Sequence, residues 1–87
     1  MNQMTELRSL RNIGKELERK LKAVEIKTAE ELKEVGGKEA FIRLKLRDPQ
    51  VCLVHLYALE GAVSDRGYNQ LPEDVKRDLK AFSDGLR

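Results

Sequence analysis

Leu10-Arg11-Asn12-Ile13-Gly14-Lys15, followed by Leu17, Leu21, Ile26, Thr28 and Leu32, is the stretch whose reading decides the fold. It reads as a tight turn feeding a helix, then a second turn feeding a short capped helix. Glycine tolerates the left-handed or close-approach geometry that such a turn needs, which points to Gly14. The helix beginning near residue 15 carries Leu17, Leu21 and Val24 on one side. Glu16, Glu18, Arg19, Lys20 and Lys22 fall on the other, so it is amphipathic. After Glu25-Ile26-Lys27, Thr28 stands three residues before Glu31, the spacing of a reciprocal capping box. Backbone N–H groups flanked by Arg11 and Lys15 then face outward at the first helix start. Such a corner suits a phosphate. It is equally an ordinary joint between small helices.

The same logic extends along the chain. Residues 5–11 read as a short first helix, with Thr5 as its cap and Leu7 and Leu10 sharing a face. Ala29, Leu32 and Val35 form the inner face of the Thr28 helix. Gly36-Gly37 ends it, the first glycine taking a left-handed position and the second allowing an immediate restart. Lys38 to about Leu46 is a further helix with Ala40, Phe41 and Leu44 inward, widened by Ile42 and Leu46. Asp48-Pro49 stops it. Residues 50–62 are the most apolar helix, and so broad an apolar face predicts a central position. A buried strand over 51–59 is the competing reading, but length and the absence of alternation favour helix. After an interruption at 61–70, Leu71-Pro72 opens the last helix, with Pro72 at the first helical position. Val75, Leu79 and Phe82 face inward, and Gly85 ends the order. The expectation is an all-α fold, a compact bundle of about five short helices, with 1–87 a single domain and an ordered core at about 5–83.

Composition narrows the functional classes. With 87 residues the chain is one small domain, which buries roughly 60–65% of its extended surface and leaves little room for a deep cavity. Seventeen Lys and Arg face fifteen Asp and Glu, a net charge of +2. Dedicated nucleic-acid binders concentrate positive charge more strongly. No run approaches the roughly 18 apolar residues of a membrane span. The first residues lack the cationic-then-apolar pattern of a secretion signal. One cysteine excludes an internal disulfide framework. The expected compartment is the cytoplasm, with no membrane partner.

Catalytic groupings are sparse. Cys52 and His55, the chain's one Cys and one His, lie a helical turn apart, and two ligands do not close a zinc site. Their apolar surroundings predict a buried thiol and a structural histidine rather than a nucleophile–base pair. The glycines match neither a P-loop nor a dinucleotide fingerprint. No metal, cofactor, catalytic residue or small-molecule substrate is expected, and the protein reads as a non-enzyme. Tyr57 reads as buried. Tyr68 reads as the anchor of the last loop or as part of a protein-contact surface.

Taken together, Ile13-Gly14, Thr28, Glu31-Leu32, Val35-Gly36, Glu39-Ala40, Arg43-Leu44, Leu56-Tyr57-Ala58-Leu59-Glu60-Gly61-Ala62 and Leu71-Pro72 resemble the C-terminal domain of the TfoX/Sxy family of bacterial competence regulators. The resemblance covers about residues 7–83. It implies a helix-hairpin-helix-like, SAM-like architecture. The 10–32 segment also resembles the turn-helix unit in the C-terminal domain of the bacterial RNA polymerase alpha chain, where the glycine turn and helix start contact DNA. On that resemblance the matching positions are Asn12, Ile13, Gly14 and Lys15; with the cations of the corner, the expected nucleic-acid-binding residues are Arg8, Arg11, Asn12, Gly14 and Lys15, with Lys38 as an outer candidate. The usual hairpin has a further glycine where Asn12 stands. The expected function is a regulatory module that contacts DNA backbone or a transcription complex in competence regulation. The alternative is a protein-interaction or self-association domain with no nucleic-acid contact. The expected partners are therefore duplex DNA, a transcription-associated protein or a second copy of the chain. The alternative predicts exposed apolar residues on the 36–48 helix or the 64–71 loop, and a mixed-charge corner at 8–15.

Overall fold

The computed structural model describes residues 5–86. Five α-helices follow one another, α1 Lys15–Ala23, α2 Ala29–Val35, α3 Gly37–Arg47, α4 Leu53–Ser64 and α5 Glu73–Asp84. Short 3-10 turns at Leu7–Ser9 and Tyr68–Gln70 precede α1 and α5. The architecture is the expected all-α bundle.

The first segment is shorter than its pattern implies. Only Leu7–Ser9 is helical, and Thr5 is not a cap. The Thr5 carbonyl instead accepts from the Ala29 N–H at 2.8 Å, and its N–H donates to Glu30 Oε1 at 2.9 Å. Three residues fixed for one turn repay little nucleation cost. Pairing with the start of α2 satisfies the same backbone groups and drops Leu7 fully into the core.

α1 and α2 follow their patterns closely. Leu17 and Leu21 are buried. α1 ends in a Schellman motif, with Ile26 N–H on Leu21 O at 3.0 Å and Glu25 N–H on Lys22 O at 3.1 Å. Its left-handed residue is Glu25, at φ 66°. Fully buried Ile26 supplies the apolar contact that usually accompanies this cap. At α2 the capping box forms as expected: the Glu31 N–H donates to Thr28 Oγ1 and the Thr28 N–H to Glu31 Oε1, both at 3.1 Å.

Gly36, at φ 89°, joins α2 to α3. Gly37 is required for a different reason. A Cβ there would lie 3.1 Å from the Glu60 Cα, so the start of α3 sits directly on the backbone of α4. Ala40, Phe41 and Leu44 point inward. Leu46 does not widen that face; it is 83% exposed.

α4 is central as predicted, packing on α3, α5 and the 68–70 turn. It begins at Leu53 rather than residue 50. Asp48 Oδ1 accepts from the Gln50 N–H at 3.1 Å, and the Asp48 carbonyl from the Val51 N–H at 3.1 Å, so residues 48–51 make a turn. Cys52 is therefore the N-cap of α4 and is exposed, not buried. His55 is half-buried, and its Nδ1 accepts from the Cys52 N–H at 3.0 Å. The histidine is structural, as a side-chain cap. Tyr57 is also only half-buried, its hydroxyl donating to Lys76 O at 3.4 Å. Pro72 is the N-cap of α5, one position before its expected place.

The core joins Leu7, Ile13, Leu21, Ile26, Leu32, Phe41, Leu56, Leu59 and Leu79 from along the chain. Among the described residues no buried side-chain polar atom lacks a partner.

Candidate docking cleft beside the hairpin corner

The 10–14 turn reverses the expected division of labour. The left-handed residue is Asn12, at φ 71°. Gly14 is extended, at φ −93° and ψ −175°, a conformation open to any residue. It is the N-cap of α1, gives no side-chain cap, and its carbonyl accepts the Glu18 N–H at 2.9 Å. A Cβ on Gly14 would meet nothing within 4 Å.

Asn12 is consumed by the fold. Its Nδ2 donates to Ala58 O at 3.2 Å and to Arg66 O at 2.9 Å. Its Oδ1 accepts from the Tyr68 N–H at 3.1 Å. The reverse orientation of the amide would set its oxygen against two carbonyl oxygens, so the network fixes one orientation. Gly61 makes room for this. A Cβ there would lie 2.5 Å from both Arg66 O and Asn12 Nδ2. The Glu60-Gly61-Ala62 portion of the family-like motif thus serves close backbone approach, to Gly37 on one side and to the Asn12 turn on the other.

The two arginines of the corner are each met by a carboxylate. Arg8 Nε lies 3.1 Å from Glu18 Oε1, and the Glu18 side chain is mostly buried. Arg11 Nε lies 3.2 Å from Asp65 Oδ1, with both side chains largely exposed. Lys15 is exposed and has no ion pair among the described residues. Glu16, in the first turn of α1, pairs with Arg19. The Arg19 hydrogen bond and charge hold the Glu16 carboxyl below its ordinary value, so it stays ionised beside the helix start. Lys38 is tied to α5, 2.8 Å from Asp78 and 5.2 Å from the centre of the Phe82 ring.

Next to the corner lies a surface cleft of about 420 Å³. Asn12, Gly14, Glu16, Leu17 and Lys20 line it from the turn and α1, and Val54, His55, Ala58 and Tyr68 from α4 and the 68–70 turn. Its lining is mainly apolar, and Val54 and Tyr68 are 57% and 50% exposed. Lys20 is turned to Asp48, whose carboxyl that hydrogen bond holds below its ordinary value. The ring of Tyr68 does not anchor its loop; its backbone N–H does, through Asn12. Val54 belongs to the apolar 50–62 run, in which residue type marks no inner side. Its exposure follows from which side of α4 the neighbours cover.

A left-handed turn, an open helix start and a second, boxed helix define a small all-α domain of helix-hairpin-helix-like architecture. Residues 3–83 match the TfoX C-terminal domain, and the chain belongs to that family. The family is a regulatory-type domain and not a known enzyme family. Among the solved structures that share its fold are two from Listeria monocytogenes. The triclinic form of an uncharacterized protein is 50% identical, covering 92% of this chain and 91% of its own, with a TM-score of 0.90. The tetragonal form of a protein of unknown function is 49% identical, covering 93% and 99%, also with a TM-score of 0.90. No curated protein matches the chain. Among the described residues no group of three or more His, Cys, Asp or Glu is placed to hold a metal ion, and no helix is long and apolar enough to cross a membrane.

Proposed function

We propose that this domain is a non-enzymatic regulatory module that works by docking a transcription-associated protein in the cleft between α1, the front of α4 and the 68–70 turn. The observation that carries this reading is the contrast between two adjacent surfaces. At the corner, Arg8 and Arg11 are each paired with a carboxylate, Glu18 and Asp65, Glu16 is held by Arg19, and Lys15 has no ion pair among the described residues. Cations already held by carboxylates contribute less to the counterion release that drives non-specific DNA binding, so that source of affinity is reduced. At the cleft, Val54 and Tyr68 leave apolar surface open to water. Leu46 adds a second exposed apolar point on α3. These are the features expected of the protein-interaction alternative. Family membership favours a transcription-associated partner, in the setting of competence regulation.

A second reading is contact with duplex DNA backbone at the start of α1. Lys15 and the unobstructed space over Gly14 favour it. Exposed ion pairs such as Arg11–Asp65 are worth only about 0–1 kcal/mol, so a phosphate can compete for the arginine.

One pair of experiments separates the two. In an NMR titration with a short DNA duplex at low and moderate salt, the docking reading expects no saturable shifts over residues 11–16. A photo-crosslinking residue at position 54 is expected to capture a discrete protein in cells, and Tyr68→Asp to abolish the adduct. Saturable, salt-sensitive shifts at 11–16 that vanish in Lys15→Glu, with no adduct at 54, would replace docking by DNA contact.

A further inference from the structure

Tyr68, in the loop from Asp65 to Gln70, lines the cleft, and the loop's polar attachments are few. None of its residues is buried. It leaves α4 through Asp65, which is left-handed at φ 59°. It returns to the core only at Leu71, which is 5% exposed. Within the loop the hydrogen bonds are local, Gly67 N–H to Gln70 Oε1 at 3.1 Å and Gln70 N–H to Gly67 O at 2.9 Å. At its start, Arg66 N–H closes onto Gly61 O at 2.7 Å. Beyond that point its named polar ties to the rest of the molecule come from one dipeptide. Arg11 meets Asp65 across an exposed ion pair, and Asn12 bonds Arg66 O and Tyr68 N–H.

We infer that Asn12 is the positioning residue of the cleft: its side chain clasps the 65–70 loop to α4 and so sets where Tyr68 stands in the cleft that it lines with Val54 and Leu17. The chemistry is specific to an amide. Two carbonyls, Ala58 O and Arg66 O, accept from its amide nitrogen, and its amide oxygen accepts from the Tyr68 N–H. Asparagine supplies donor and acceptor from one short side chain and also tolerates the left-handed backbone. A glycine would hold the turn but leave these groups unbridged. Segments with few buried apolar contacts and exposed hydrogen bonds open locally at low free energy. Releasing the clasp frees the loop without unfolding the bundle. The clasp stands on its own geometry; its effect on partner binding rests on the docking reading.

The test uses Asn12→Gly, which keeps the left-handed turn, and the near-isosteric Asn12→Asp, which keeps the acceptor and removes both donors. In Asn12→Gly, NMR is expected to show Val54 and Leu17 methyl shifts and loss of ordered Tyr68 ring contacts. Exchange at the Arg66 amide is expected to rise at least about tenfold more than at Leu32 and Leu44. Asn12→Asp sets a carboxylate oxygen against both carbonyls and is expected to move the same resonances, which keeps the inference testable if the glycine variant does not fold. Unchanged Tyr68 and Val54 signals, or exchange rising equally throughout the core, would overturn the clasp. A freed loop with an undiminished adduct at position 54 would leave the clasp standing and break its link to docking.

Discussion

Among the described residues, three non-glycine residues sit at positive φ, and they do so for different reasons. Asn12 is held there by three hydrogen bonds from its own side chain. The side chain of Glu25, at φ 66°, makes only an exposed ion pair with Lys27. A non-glycine residue in this region costs about 1 kcal/mol or more, and nothing at Glu25 offsets it. Glu25→Gly is therefore expected to stabilise the protein by about 1 kcal/mol, read as a raised denaturation midpoint. The glycines divide in the same way. Gly14→Ala is expected to change stability by less than about 0.5 kcal/mol, because reduced freedom of the unfolded chain offsets a poorer N-cap. Gly61→Ala forces Arg66 O and Asn12 apart and is expected to cost about 1–3 kcal/mol. Urea unfolding of the two variants side by side checks the contrast. Equal effects would show that the Asn12 contact is not tight. Asn12 was visible in the sequence as a departure from the glycine of similar hairpins. Its partners were not visible, because they lie 46 to 56 residues away.

At the scale of elements, α1 to α3 are written locally. Apolar spacing, the Thr28–Glu31 box and Gly36-Gly37 fix their ends by hydrogen bonds between residues close in sequence. Thr28→Ala is expected to cost about 1 kcal/mol, since it strips the Glu31 N–H of its acceptor and loosens the helix start. The loss should appear in the denaturation midpoint and in faster exchange at the Glu31 amide; an unchanged midpoint would mean that the Thr5 pairing alone holds α2. Legibility fails at α4. Its sequence is apolar around nearly the whole circumference, so periodicity names no inner face. That is why Cys52 read as buried, and why nothing marked Val54 as exposed. The pattern also continued through residues 50–52, where the Asp48 turn satisfies the backbone instead. Thr5 failed for the complementary reason: a cap signal was outweighed by a pairing with α2.

For the whole molecule, surface carboxylates couple the elements. Lys20–Asp48 joins α1 to the turn before α4, and the Glu30 carboxylate accepts from the Thr5 N–H at the start of the chain's described part. The Lys20 hydrogen bond lowers the Asp48 pKa, and the Thr5 backbone hydrogen bond lowers that of Glu30. A lowered folded-state pKa stabilises the fold above the ordinary carboxylate value. That stability is lost as pH falls from the ordinary 3.8 and 4.5 through the folded values. The denaturation midpoint is expected to be flat from pH 7 to 5 and to fall below about 4.5. Asp48→Asn should make that fall shallower. A midpoint insensitive to pH between 5 and 3 would show that these contacts do not persist in solution.

The sequence by itself determined the all-α class, the two-turn unit at 10–32, the capped start of α2 and the membership that follows from them. These depend on contacts within a turn or two, which spacing records. Only the tertiary structure decided which side of α4 meets water, which cations of the corner meet carboxylates, and what Asn12 holds. Each of those is a contact between segments apart in the chain, and residue type alone cannot say which segments will meet.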